Sequence, residues 1–105
     1  MDEFVCITAL SRTDETEEAF SARLTRFWTH MLRSFKDDFE KVYAETTEFE
    51  TARGRLSRQY LAEDEVVDLV IREMKTAGID HEPIDRDDTY SRYEAVAPEW
   101  MQIEH

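Results

Sequence analysis

The spacing of apolar residues in the first third of the chain predicts a strand followed by a helix. Residues 3–10 (EFVCITAL) are an apolar, β-branched run of strand length, which predicts a strand buried on both faces. After the polar turn SRTDET, apolar residues recur on one helical face, and Thr13 or Asp14 is the expected N-cap. The stripe of this first helix consists of Phe20, Leu24, Phe27, Trp28, Met31 and Phe35, near which the helix ends.

Residues 40–62 have an apolar spacing closer to two than to 3.6, and their threonines favour strand, so they predict a β-hairpin. Arg53-Gly54 supplies the turn, because glycine readily adopts positive φ. With that loop, the facing pairs are Thr51 and Leu56, Phe49 and Arg58, and Thr47 and Tyr60. One face of the hairpin then holds Tyr43, Phe49, Leu56 and Tyr60. A helix over 37–52 is the alternative.

The pattern after the hairpin predicts a second helix and a short edge strand. Asp64 is the expected cap of this helix, and Gly78 with Ile79 predicts a Schellman-type end. Residues 81–85 (HEPID) fit a short edge strand, since Pro83 is excluded from a central position. The stripe of the second helix is Val67, Val70, Ile71 and Met74.

The resulting order, β-α-β-β-α-β, predicts an α+β, ferredoxin-like domain over residues 1–88, with an antiparallel sheet and two helices on one face. Residues 89–105 are left over as an aromatic C-terminal tail that packs on the domain or on a partner. A length of 105 residues is consistent with a single domain of this kind.

The net charge restricts the possible binding partners more than any sequence motif does. The chain has 25 acidic and 13 basic residues, a net charge of -12, which argues against binding nucleic acid or an anionic membrane. A protein with a basic surface is the expected partner, although acidity also serves solubility. A single cysteine excludes an internal disulfide, and no apolar run has the length of a membrane span or a signal sequence. The expected compartment is the cytoplasm.

The sequence predicts no catalytic residue, no metal ligand and no cofactor. It contains no nucleophile motif, no glycine-rich phosphate loop and no metal-ligand spacing. His81 lies in an acidic stretch that is expected to be a solvated turn. His30 lies on the flank of the first helical stripe, where we expect it to pack its ring and expose its tip.

Arg58 is the centre of the predicted ligand site. It lies on the hairpin face of the predicted aromatic residues, where an inward charge is costly unless it is paired. Arg58 could bind an anionic ligand between aromatic walls, or it could pair with Glu45 or another acid at the sheet rim. The predicted ligand-binding residues are Tyr43, Glu45, Arg58 and Tyr60.

The tail supplies the predicted partner-binding residues, because aromatic side chains and methionine dominate interface hot spots. They are Tyr90, Tyr93, Trp100 and Met101. The alternative is that the tail folds back over the open sheet face of its own domain.

Three hypotheses for function follow. The first is a non-catalytic protein that acts by protein–protein interaction on a basic partner surface, in an inhibitor, immunity-type or adaptor role. The second is a ligand-binding protein or enzyme, a homodimer with a pocket around Arg58. The third is a structural or assembly subunit that docks through its tail.

Overall fold

A computed structural model of the chain describes residues 3–44, 49–52, 54–87 and 89–91, with side chains for all of these except 3, 52, 90 and 91. These residues form an α+β fold in which helices cover an antiparallel sheet, so the predicted α+β class with an antiparallel sheet is confirmed. In the described part of the chain, no helix is long and apolar enough to cross a bilayer.

The described helices are α1 (Glu17–Ser34), α2 (Lys36–Phe39) and α3 (Asp64–Thr76). The predicted stripe of α1 is confirmed, with Phe20, Leu24, Phe27 and Met31 buried against the sheet. The predicted N-cap was wrong: the Thr16 hydroxyl accepts the Ala19 N–H at 3.1 Å, whereas Asp14 takes a φ of 63° in the preceding turn. The polar run SRTDET contains several residues that can cap a helix, so its composition does not select one.

The predicted end of α3 is confirmed in detail. Gly78 adopts a φ of 74°, and the Ile79 N–H donates to the Met74 carbonyl at 2.9 Å. The Gly78 N–H donates to the Lys75 carbonyl at 3.1 Å, which completes the two bonds of a Schellman motif. Ile79 is thereby turned into the core, where it is buried.

In the described residues the sheet contains six strands, and every pairing between them is antiparallel. The long strands β1 and β4 pair at the centre. The short strands β2 and β3 both lie beside β4, and β5 and β6 both lie beside β1. The strands are β1 (Glu3–Leu10), β2 (Val42–Ala44), β3 (Glu50–Ala52), β4 (Arg55–Glu63), β5 (Asp80–His81) and β6 (Thr89–Ser91).

Two of these strands refine the expected boundaries. The edge strand predicted over 81–85 is shorter, and β5 ends at His81, before Pro83. Residues 89–91, which the sequence pattern grouped with the tail, pair with Glu3, Phe4 and Val5 of β1 as strand β6.

The hairpin is present, but its register changes along its length. Thr51 pairs with Leu56 as predicted, and Gly54 has the expected positive φ of 75°. From Leu56 to Tyr60, however, β4 advances four residues while its partner goes back seven, from Thr51 to Ala44. The three additional residues between β2 and β3 are an odd number, so the side-chain alternation of β2 is inverted relative to the prediction.

The core lies between the sheet and the helices. Val5, Ile7 and Ala9 of β1 and Tyr60 and Ala62 of β4 point toward α1 and α3 and are buried there. The opposite sheet face is also apolar near its centre, since Phe4 is 2% exposed and Leu61 is 1% exposed. Alternation on β1 and β4 assigns these two residues to the face away from the helices.

Candidate functional site

A cavity of about 200 Å³ opens at one edge of the core, between α1, α2 and the strands β2 and β4. It is partly open to solvent. The described residues that line it are Trp28, Phe39, Val42, Ala44, Arg58 and Tyr60.

Local structure explains why these side chains converge. Arg58 and Tyr60 are alternate residues of β4, so both point to the face that α1 covers. Ala44 of β2 lies directly opposite Tyr60, and its methyl group leaves space that a larger side chain would fill. Trp28 comes one residue after the buried Phe27, at the flank of the α1 stripe, and α2 then brings in Phe39.

Aromatic rings form the walls of the cavity. The Trp28 ring lies 4.8 Å from Tyr60 and 5.9 Å from Phe39, measured between centroids. The Arg58 guanidinium lies over the Phe49 ring at 5.3 Å and 6.0 Å from the Tyr60 centroid. Arg58 is thus held by cation–π contacts at an aromatic site, rather than extended into solvent.

Two polar atoms beside this cavity, the Trp28 indole Nε1 and the Tyr60 hydroxyl, have almost no solvent-accessible surface. Tyr60 as a whole is only 4% exposed. Apart from their contact with each other, neither atom has a hydrogen-bond partner among the described residues. Because a ligand atom cannot contact an atom that has no accessible surface, the rings form the accessible walls of the cavity.

The electrostatics of the site keep the Tyr60 hydroxyl protonated. Burial raises the pKa of Tyr60 above its usual value, while a hydrogen bond from the Trp28 indole N–H and the positive charge of Arg58 oppose this shift. The hydroxyl therefore retains its proton at neutral pH and can donate it in a hydrogen bond. The opposing effect of Arg58 also means that its charge favours negative charge at this position.

Two of the predicted ligand-binding residues, Arg58 and Tyr60, line this cavity, and whether they bind a ligand stays a prediction. Arg58 and Phe49 lie together, as the hairpin pattern indicated. The prediction for Tyr43 was wrong: the register change pairs it with Leu61 and turns it to the opposite face, where its ring packs edge-on against Phe4 at 5.4 Å. Glu45 lies outside the described residues.

Four lining residues were not predicted: Trp28, Phe39, Val42 and Ala44. The sequence pattern assigned Trp28 to the apolar stripe of α1. Its position at the edge of that stripe was the only sequence signal that it lies beside a cavity rather than in the core. The contributions of α2 and β2 depend on the register change and could not be predicted from periodicity.

The two histidines considered in the sequence, His30 and His81, do not line this cavity. His30 Nε2 donates to a Glu73 carboxylate oxygen at 2.8 Å, which joins α1 to α3 and lowers the pKa of Glu73. His81 Nδ1 donates to the Glu82 carbonyl at 2.7 Å. Within the described ranges, no three His, Cys, Asp or Glu side chains are grouped so as to hold a metal ion.

The predicted partner-binding residues are not tested. The backbone of Tyr90 belongs to β6, but its side chain lies outside the described part of the molecule. Tyr93, Trp100 and Met101 also lie outside the described residues.

Comparison of the chain with protein-family models, curated proteins and solved structures finds no match. No relative therefore suggests a function by analogy, and the side chains of the cavity are the strongest guide to one.

Proposed function

We propose that this protein binds a small molecule, without a catalytic step, in the cavity between Trp28 and Tyr60. The observation that supports this most strongly is the cavity itself, which has a volume of about 200 Å³ and is walled by the rings of Trp28, Phe39 and Tyr60.

The size and lining of the cavity support the same function. An apolar cavity of ~150 Å³ is sufficient to bind benzene, so about 200 Å³ accommodates a ring with a small substituent. Aromatic walls combined with a few polar groups are typical of small-molecule sites. The cavity is smaller than the ~300 Å³ at which sites for drug-sized ligands begin, which favours a small ligand.

Tryptophan fluorescence tests this proposal directly. The chain has two tryptophans, so the variant Trp100→Phe leaves Trp28 as the sole reporter. In this background we expect saturable changes in Trp28 emission with small aromatic compounds. The blocking variant Ala44→Leu should abolish them, because it fills the space opposite Tyr60.

The matched control is Ala19→Leu, the same substitution at an exposed position of α1. It should bind as the background variant does. Unchanged Trp28 emission across the whole compound set, with Ala44→Leu no different from Ala19→Leu, would contradict the proposal.

A second function, interaction with a basic partner surface, is favoured by how the described cations are used. Arg23, Lys41, Arg55, Arg72 and Arg86 each form an ion pair with an acid of the same chain. Other acids of the described residues, Glu17 and Glu18 among them, are exposed at the surface. Such a surface would steer a basic protein, so its association rate should fall steeply as salt rises. An association rate independent of salt would exclude this function.

We also propose that the sheet is of the ferredoxin-like type. The support is the strand order, if β2 with β3 and β5 with β6 each count as one interrupted edge strand on either side of the central pair β4 and β1. This fold hosts unrelated functions, so it does not decide between the two candidates above.

A further inference from the structure

The surface that the cavity offers to a ligand is apolar at four of its six described lining residues. Trp28, Phe39, Val42 and Ala44 are half-buried, so each keeps some accessible surface, and apart from the indole nitrogen their side chains contain only carbon and hydrogen. That nitrogen and the Tyr60 hydroxyl have almost no accessible surface and contact each other. A ligand therefore meets rings and methyl groups here, and neither Trp28 nor Tyr60 offers it a hydrogen bond.

Arg58 is the one charged side chain in the described lining, and it is already engaged. Its guanidinium lies 5.3 Å from the Phe49 ring centroid and 6.0 Å from the Tyr60 centroid, and Arg58 takes part in a further interaction besides these. An anionic ligand would have to compete with these contacts, and a cationic ligand would be repelled by the same guanidinium. The site therefore favours neither sign of charge.

The volume of the cavity makes a charged substituent costly. An apolar cavity of ~150 Å³ holds benzene, so about 200 Å³ holds a ring together with a small substituent. A substituent inside the cavity loses its contacts with water, and for a charged group that loss is severe unless the site provides a partner. A methyl group, by contrast, gains from the same transfer.

We infer that the ligand is an uncharged, apolar molecule with a single ring, held by contact with the walls of the cavity and by no hydrogen bond to Trp28 or Tyr60. This inference rests on the proposed function, since it names the class of molecule that the same cavity takes.

The test compares toluene with benzoate and benzylamine, by titration calorimetry and by Trp28 emission in the Trp100→Phe background. The three probes have similar sizes, and at neutral pH they are uncharged, anionic and cationic. We expect toluene to bind about tenfold or more tightly than either charged probe, because neither charge finds a partner in the cavity. This comparison needs no change at the site and does not depend on whether a site variant folds.

Two pairs of variants show where and how toluene binds. Ala44→Leu should abolish toluene binding by filling the space opposite Tyr60, and the exposed Ala19→Leu should not. Tyr60→Phe keeps the ring wall and removes the hydroxyl, so the affinity for toluene should stay within about twofold of the background variant. Tyr43→Phe, the same change on the opposite sheet face, is its matched control.

The outcomes separate the ligand class from the proposed function. A charged probe that binds as tightly as toluene, with both blocked by Ala44→Leu, would overturn the uncharged class and leave small-molecule binding in place. A loss of toluene affinity above about fivefold in Tyr60→Phe but not in Tyr43→Phe would also overturn the inference, since the hydroxyl would then contact the ligand. No binding of any probe, together with Trp28 emission that no small compound changes, would overturn both.

Discussion

The two halves of helix α1 differ in how many hydrogen bonds their polar side chains form. Near its N-terminus, Arg23 donates two hydrogen bonds to the Glu15 carboxylate, at 2.7 and 2.8 Å, and a third to the Gly78 carbonyl at 3.2 Å. Little more than one turn further on, the Trp28 indole N–H is buried, and the adjacent Tyr60 hydroxyl is its only possible partner in the described residues. The half-buried Arg23 side chain thus forms three hydrogen bonds, whereas the buried Trp28 indole has only the Tyr60 hydroxyl beside it.

A second satisfied contact lies beside the Arg23 cluster, at the end of β1. The Ser11 hydroxyl accepts the Leu56 N–H at 2.7 Å, and the Ser11 carbonyl accepts from Arg55 Nε at 2.6 Å. These contacts close the hairpin turn onto β1. The contrast indicates that the scarcity of hydrogen bonds at Trp28 Nε1 and Tyr60 Oη is local to the cavity, because the polar groups of Arg23 and Ser11 have several partners.

The largest predicted effect is at the satisfied end. Arg23→Ala should lower the free energy of unfolding by about 2–3 kcal/mol, because it leaves Glu15 and the Gly78 carbonyl unpaired. Urea denaturation followed by circular dichroism measures this. Arg26→Ala, at an exposed position of the same helix, is the control and should change stability by less than about 0.5 kcal/mol. Equal losses for both variants would show that the Arg23 contacts contribute nothing specific.

Acid should remove a part of the same stabilisation. The hydrogen bonds from Arg23 lower the pKa of Glu15 from 4.5 to about 2. A carboxyl with a lowered folded-state pKa stabilises the fold above its unfolded pKa, and this contribution is lost as pH falls from 4.5 toward 2. Denaturation at a series of pH values should therefore show wild type and Glu15→Gln converging across that window. A constant difference between them down to pH 2 would contradict this assignment.

Ser11→Ala should have a smaller effect, a loss of about 1–2 kcal/mol, because the buried Leu56 N–H then lacks the side-chain acceptor that it uses. Thermal and urea denaturation both measure it. Ser34→Ala, which removes an exposed hydroxyl at the end of α1, is the matched control. Equal stability of Ser11→Ala and Ser34→Ala would contradict this prediction and would mean that water replaces the lost acceptor without a loss of stability.

The smallest predicted effect is at the cavity, where Tyr60→Phe measures what the Tyr60 hydroxyl contributes to stability. Tyr60→Phe should lower the free energy of unfolding by about 1 kcal/mol or less, because the adjacent Trp28 indole is the only partner of the hydroxyl in the described residues. A loss above about 1.5 kcal/mol would show that the hydroxyl is hydrogen-bonded in the folded protein, through ordered water or otherwise.

Much of the fold could be predicted because its signals are local. Gly78 determined the end of α3, Gly54 determined the adjacent register, and the apolar stripe determined the buried face of α1. Each depends on backbone conformation or periodicity within a few residues, which the sequence contains directly.

The cavity could be predicted only in part because it depends on a long-range detail. The three additional residues between β2 and β3 give no sequence signal, yet they turn Tyr43 away from the site and bring Ala44 opposite Tyr60. Trp28 and Phe39 join through the packing of α1 and α2 against the sheet. Arg58 could be predicted because an inward charge on an otherwise aromatic face is unusual in its own right.

The most direct test of the central claim is the indole N–H signal of Trp28 in a nitrogen–proton correlation spectrum, recorded in the Trp100→Phe background. Because Trp28 lines the cavity, small aromatic compounds that bind there should move this signal in a saturable manner. The backbone signal of Gly78, which lies away from the cavity lining, should not move. A Trp28 signal that no small compound changes would contradict the proposal that the cavity is a binding site.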